Sequence, residues 1–165
     1  MNRVSTASLT LEPQLAAHAV EMFEVLSDPA IYEFENSPPV SAAWLAERFA
    51  MLESRVSPDG AQHWLNWVIR LPTGALAGYV QATIAQDHTA QIAYELGSQF
   101  WRQRIGSTAV RAMLAELAAA YGVHTFTATL KERNYRSLAL LRSLGFERAG
   151  SSGSDEVVMC KGSIR

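Results

Sequence analysis

The hydrophobic period of this chain changes at Gly97, and that change limits the folds open to it more than any other feature. Upstream, residues 64–71, 75–85 and 89–96 are three β-rich runs in succession. Pro72-Thr73-Gly74 joins the first two and Gln86-Asp87-His88 the last two, links short enough for hairpins. The spacing predicts a three-stranded antiparallel meander with Ile92, Tyr94 and Leu96 on one side of its last strand. Downstream, Ile105, Ala109, Met113, Leu117 and Tyr121 recur at helical spacing, widened by Val110 and Leu114, and Gly122 caps the end. An antiparallel meander placed before the first long βα unit disfavours a doubly wound nucleotide-binding domain.

The remaining segments extend this pattern. Residues 7–12 alternate around Leu9 and Leu11 as a half-buried strand does, and Pro13 can open a helix carrying Leu15, Ala19, Met22, Phe23 and Leu26. Asp28-Pro29 ends that helix, and residues 32–40 have no period. Ser41 is the expected N-cap of a second helix, with Leu45, Phe49, Leu52 and Val56 on one face, before a turn at 57–60. Residues 124–130 read as a strand. Asn134 opens a helix bearing Leu138, Leu141 and Leu144 that stops at Gly145-Phe146. In the tail, a Gly/Ser loop at 150–154 separates two short strands, the second at 156–161. The order is βααβββαβαββ, an α+β domain with a mixed sheet, and with no repeat or linker it is expected to be a single domain over 1–165.

Composition narrows the function. Apolar residues make up 48% of the chain and charged residues 18%, enough for a core and too few charges for a disordered segment. Fourteen Lys and Arg against 16 Asp and Glu give a formal charge of -2, so general affinity for nucleic acid is not expected. The one cysteine, Cys160, sits in the apolar run Val157-Val158-Met159 and reads as a buried small residue. His18, His63, His88 and His124 share no metal-ligand spacing with each other or with Cys160, so no metal is assigned. Apolar stretches fall short of the ~18 residues a membrane span needs, and the polar opening Met1 to Thr6 does not read as a secretory signal. The expectation is a cytoplasmic protein.

Two segments carry possible chemistry. In the stretch from Tyr94 to Ser107 a strand ends, a polar turn follows, and a helix begins with Gly106 and Ser107 in its first turn. Helix N-termini present unpaired N–H groups and partial positive charge, and Arg102 and Arg104 stand beside them, so the segment can hold a phosphate. The same residues also describe an ordinary strand–helix connection with two solvated arginines. The second segment, Asn134-Tyr135-Arg136-Ser137 running to Gly145-Phe146, taken alone is a capped helix.

In this order and at this separation, the two segments resemble the GNAT family of acetyl-CoA-dependent N-acetyltransferases. The likeness is to the branch containing ribosomal-protein N-terminal acetyltransferases (RimJ/RimL-like). That branch carries an aromatic-Trp-Gly-x-Gly-x-Ala run after its fourth strand, matched here by Phe100-Trp101-Arg102-Gln103-Arg104-Ile105-Gly106, and a later Asn-x-x-Ser helix ending in Gly-Phe. The resemblance extends upstream through Leu9-Thr10-Leu11 and residues 26–32. It implies a central mixed, splayed sheet flanked by helices, with acetyl-CoA bound between the fourth and fifth strands. The pantetheine arm would pair with strand backbone near Leu96 and contact Asn134, and the N–H groups of Gln103, Arg104, Ile105, Gly106 and Ser107 would hold the pyrophosphate. The chain departs from the family at Arg102 and Arg104, where the pattern has glycines. Side chains there must point outward if the cradle survives. It departs again at Leu141, where many members have a general-acid tyrosine; Ser137 is the replacement that the resemblance implies.

Transfer of an acetyl group to an amine needs a neutral nucleophile. Glu95, at the end of the fourth strand, reads either as the base, acting through water, or as an exposed strand-end carboxylate with water alone as the base, and a strand N–H near Leu96 would stabilise the thioester oxygen. The acceptor is an amine, a protein N-terminus or a small molecule equally. Aromatic residues Trp64, Trp67, Tyr79, Tyr32 and Phe34 could line its pocket or serve as core, and Asp155-Glu156 could position the amine or be solvated turn charges. A non-enzymatic coenzyme-binding module on the same fold is the alternative, and apolar strands in the tail leave a homodimer open.

Overall fold

The computed structural model describes residues 1–162. Its strands are β1 (Val4–Ser5), β2 (Thr10–Pro13), β3 (His63–Arg70), β4 (Leu76–Ile84), β5 (Thr89–Leu96), β6 (Thr125–Lys131), β7 (Glu147–Ser152) and β8 (Glu156–Gly162). Its helices are α1 (Ala19–Leu26), α2 (Ala42–Leu52), α3 (Ile105–Tyr121) and α4 (Tyr135–Ser143). The strands form one sheet in the order β1-β2-β3-β4-β5-β6-β8-β7. Every neighbouring pair is antiparallel except β5 with β6, so the sheet is mixed.

Period-two alternation in β3–β5 divides the core into two layers. Leu65, Trp67, Ile69, Val80, Ala82, Ile92 and Leu96 face α3 and α4 and pack with Val110, Met113, Leu117 and Leu141. Val68 and Leu76 face α1 and α2 and pack with Ala19, Met22, Leu26, Leu45 and Phe49. Glu95, one residue from Leu96, therefore projects from the α1/α2 face.

Four expectations are revised. Pro13 does not open a helix: it is the last residue of β2, paired with Trp67, and only a single 3-10 turn, Ala16–His18, precedes α1. The stretch read as one strand over 7–12 is strand only from Thr10, in β2; residues 6–9 turn back to β1, and Thr6 Oγ1 bonds to both the C=O and the N–H of Leu9. Val56 lies beyond α2, because Arg55 in the left-handed region (φ 60°) breaks the helix, and Val56 instead bridges His63. Just before the aperiodic stretch, Asp28 caps a 3-10 turn at Pro29–Tyr32 by accepting from the Ala30 N–H. The tail loop is shorter than read, since β7 continues to Ser152 past a bulge between Arg148 and Gly150.

The seam between β5 and β6 positions the site. The two strands pair only from Thr89–Gln91 to Thr125–Thr127 and then separate, while β6 stays paired with β8 along its whole length. The C-terminal half of β5 thus lacks a ladder partner on that side.

Candidate active site

Backbone groups of β5 open the site. The Ala85 N–H donates to Thr89 O and the Gly97 N–H to Ala77 O, at the two ends of the β4–β5 ladder. Antiparallel bonding alternates residue by residue, so the N–H and C=O of Ile92, Tyr94 and Leu96 point away from β4, into the splay. The C=O of Leu96 is met there by the indole N–H of Trp101 at 3.1 Å. Gly78, opposite Leu96, makes the close approach of β4 possible: a Cβ there would stand 2.0 Å from Glu95 O, and its φ is +153°.

The turn from β5 into α3 carries the next donors. Arg102 and Arg104 adopt left-handed backbone (φ 59° and 61°), the conformation for which glycine is favoured, at a cost of about 1–2 kcal/mol each. Both side chains are exposed and neither makes an ion pair among the described residues. Arg104 is the N-cap of α3 without a side-chain cap, so the N–H groups of the first turn remain free of helical partners. Gly106 is buried against α4, where a Cβ would come 3.0 Å from Leu140 Cδ1. The amide of Gln103 turns back and donates to Gln99 O.

α4 supplies the opposite wall. Asn134 Oδ1 accepts from the Ser137 N–H at 3.1 Å, fixing the first turn, and the Tyr94 hydroxyl donates to Ser137 O at 3.3 Å across the splay. Burial pushes the Tyr94 hydroxyl up to about 12. Arg136 lies 4.1 Å over the Trp101 ring and 5.0 Å over Phe34, and its guanidinium donates to Glu33 at 2.8 Å. It ties the segment after the Pro29 turn to α4.

These elements enclose a cleft of about 470 Å³ that every residue predicted for the site lines, apart from Gln103. A second cleft of about 420 Å³ lies against α2, lined by Tyr32, Asn36, Trp44, Arg48, Asn66, Tyr79 and Gln81 among others. Glu95 lines both. Burial, reinforced by the charge of Glu35 and opposed by Arg136, raises its pKa to about 7. Glu35 is raised as well, by burial first, with Lys131 opposing. The Tyr32 hydroxyl, pushed up to about 12 by burial, donates to Leu26 O.

The aromatic candidates separate cleanly. Tyr32 and Tyr79 line the second cleft and Phe34 the first; Trp67 is fully buried core, and Trp64 lines neither. Asp155 and Glu156 are both held by Lys131, at 3.0 and 3.1 Å. Cys160 is half-buried, not fully buried, because its strand β8 is flanked by the exposed β7. Sequence reasoning missed Gly78, Glu35, Arg48 and Arg136. An isolated glycine inside a strand pattern was a usable signal for the first. The others give none, since their meaning depends on distant partners.

The model of the acetyltransferase (GNAT) domain matches residues 8–147 of the chain. The chain belongs to the GNAT family. It is an acyltransferase that takes its acetyl group from acetyl-CoA. Over 151 residues it is 22% identical to the uncharacterized N-acetyltransferase p20 of Bacillus licheniformis, covering 91% of this chain and 85% of that one. Ribosomal-protein-S5-alanine acetyltransferase from Vibrio fischeri shares the fold with a TM-score of 0.84 at 15% identity, covering 99% of this chain and 97% of the other. RimL, a ribosomal L7/L12 alpha-N-protein acetyltransferase solved in complex with coenzyme A, gives 0.83 at 16% identity and 98% coverage of both chains. The chain thus has the GNAT fold, here a mixed eight-stranded sheet flanked by helices. Among the described residues no group of three or more His, Cys, Asp or Glu could hold a metal ion, and no helix is long and apolar enough to cross a membrane.

Proposed function

We propose that this GNAT protein acetylates a primary amine by direct attack within a ternary complex, with Glu95 as the base. One observation carries the reading: Glu95 lines both clefts, so a carboxylate stands where a cofactor cleft and an acceptor cleft meet. The first cleft fits coenzyme A. It offers unpaired strand N–H and C=O groups along the splay, free N–H groups at the start of α3, and two guanidinium groups with no acidic partner among the described residues. Leu96 and Asn134 would flank the pantetheine arm, and the turn Arg102-Gln103-Arg104 with Ile105, Gly106 and Ser107 would hold the pyrophosphate.

Acetyl-CoA, when bound, supplies an activated acyl carbon on a good leaving group. The chain's own task is to deliver a neutral amine. With a pKa near 7, Glu95 is about half ionised at neutral pH and far more basic than an ordinary carboxylate, so it accepts a proton from an ammonium directly or through one water. The inward-facing N–H of Leu96 is the donor we assign to the thioester oxygen. Ser137 Oγ is the group we assign to protonate the departing sulfur.

Following free thiol while the protein is mixed with acetyl-CoA and a panel of amines tests this reading. Amine-dependent thiol release supports it. Tight acetyl-CoA binding with no release on any amine contradicts it.

A further inference from the structure

The second cleft has two poles of opposite charge. At the junction with the first cleft stands the carboxylate of Glu95; Glu35, which lines neither cleft, adds to the negative field there. On the α2 wall stands Arg48, its guanidinium 5.9 Å from the Trp44 ring centroid and in no ion pair among the described residues. The Tyr79 hydroxyl senses both poles, because the two carboxylates raise its pKa after burial and Arg48 lowers it. Gln14 also lines this cleft. It is only 5% exposed, and its Nε2 has no hydrogen-bond partner among the described residues. A buried amide donor left unpaired is costly, so an acceptor oxygen placed beside it stabilises the occupied cleft.

We infer that the amine acceptor is a small molecule carrying an anionic oxygen group, a carboxylate or a phosphate. Its ammonium end is drawn to Glu95, and its anionic end to Arg48 and the Gln14 amide. The inference rests on the acetyltransferase reading above and adds the acceptor's chemistry. A volume of about 420 Å³ lies within the usual range of small-molecule sites. A protein N-terminus fits less well: the group next to its amine is a neutral amide, which leaves Arg48 without a counter-charge.

Matched acceptors test the assignment: an amino acid against its carboxamide, ethanolamine phosphate against ethanolamine, and a tripeptide amide, each with acetyl-CoA and thiol release as the readout. The anionic member of at least one pair should have a kcat/KM about tenfold higher, mainly through a lower KM, as loss of a charge-assisted hydrogen bond implies. The pair that shows it identifies carboxylate or phosphate. Arg48→Gln should erase that preference and Arg48→Lys restore part of it; Gln14→Met should raise KM for the same acceptor. Equal kcat/KM within both pairs, or a preference for the tripeptide amide, overturns the assignment. If no amine is turned over while acetyl-CoA still raises the melting temperature, the transfer reading itself fails, and this one with it.

Discussion

At the scale of single residues, Glu95, the base proposed above, carries a stability penalty. Its carboxyl titrates near 4.5 when exposed and near 7 in the folded chain, so between those values the folded state binds more protons than the unfolded state. Stability from this group is greatest below about 4.5 and falls as pH rises through 7, by at most ~3 kcal/mol. Glu95→Gln should therefore raise the unfolding free energy at pH 8 and leave it nearly unchanged at pH 4, as read from urea titrations. A variant equally stable or weaker at pH 8 removes the claim that Glu95 is held against its burial. Glu95 was legible in the sequence because period-two alternation marks a polar strand-end residue beside Leu96. Glu35 was not, since it lies in the aperiodic stretch 32–40 and acquires meaning only from a carboxylate sixty residues away. Arg136 sat inside a recognised motif as a variable position, and its stack on Trp101 and Phe34 depends on three separate segments meeting.

Among the elements, the β4–β5 ladder and the turn into α3 carry the geometry. Gly78→Ala places a Cβ against the carbonyl of Glu95, a rigid backbone atom 2.0 Å away, so the strand end must move. A loss of at least ~2 kcal/mol is expected, together with a fall in kcat, because Glu95 and Leu96 shift as one. Wild-type melting temperature and activity in that variant would contradict the ladder's role. Arg104→Gly relieves left-handed strain but adds chain entropy to the unfolded state, a net gain of about 0.5–1 kcal/mol. The same change removes a guanidinium from the first cleft, where the proposal puts the pyrophosphate, and should weaken acetyl-CoA binding at low salt more than at high salt. Titrations at two ionic strengths decide this: a salt-independent affinity change speaks against a phosphate-facing arginine. The bounds of β5 and α3 coincide with those read from periodicity, because each has a strong repeat and a clear terminal residue. Pro13 misled because proline suits the start of a helix and the end of an edge-proximal strand alike.

For the whole molecule, function follows from one topological fact. β5 and β6 begin as parallel neighbours and part after three residues, while β8 inserts between β6 and β7 and holds β6 in place. The gap bares β5 backbone on one side and lets Glu95 border clefts on both. The family pattern implied a splay, yet the sequence does not display how β8 enters the sheet, since strand order depends on pairings between residues far apart in the chain. In the mechanism we propose, this junction carboxylate takes the proton of the attacking amine. The most direct test is the pH dependence of kcat/KM for thiol release, measured for the wild-type chain and for Glu95→Gln on one acceptor whose amine pKa is known. The wild type should show, besides the amine's own titration, a rise with an apparent pKa near 7, and Glu95→Gln should lose that rise and fall about 100-fold or more. A Glu95→Gln variant with the wild-type rate and the wild-type profile would contradict it.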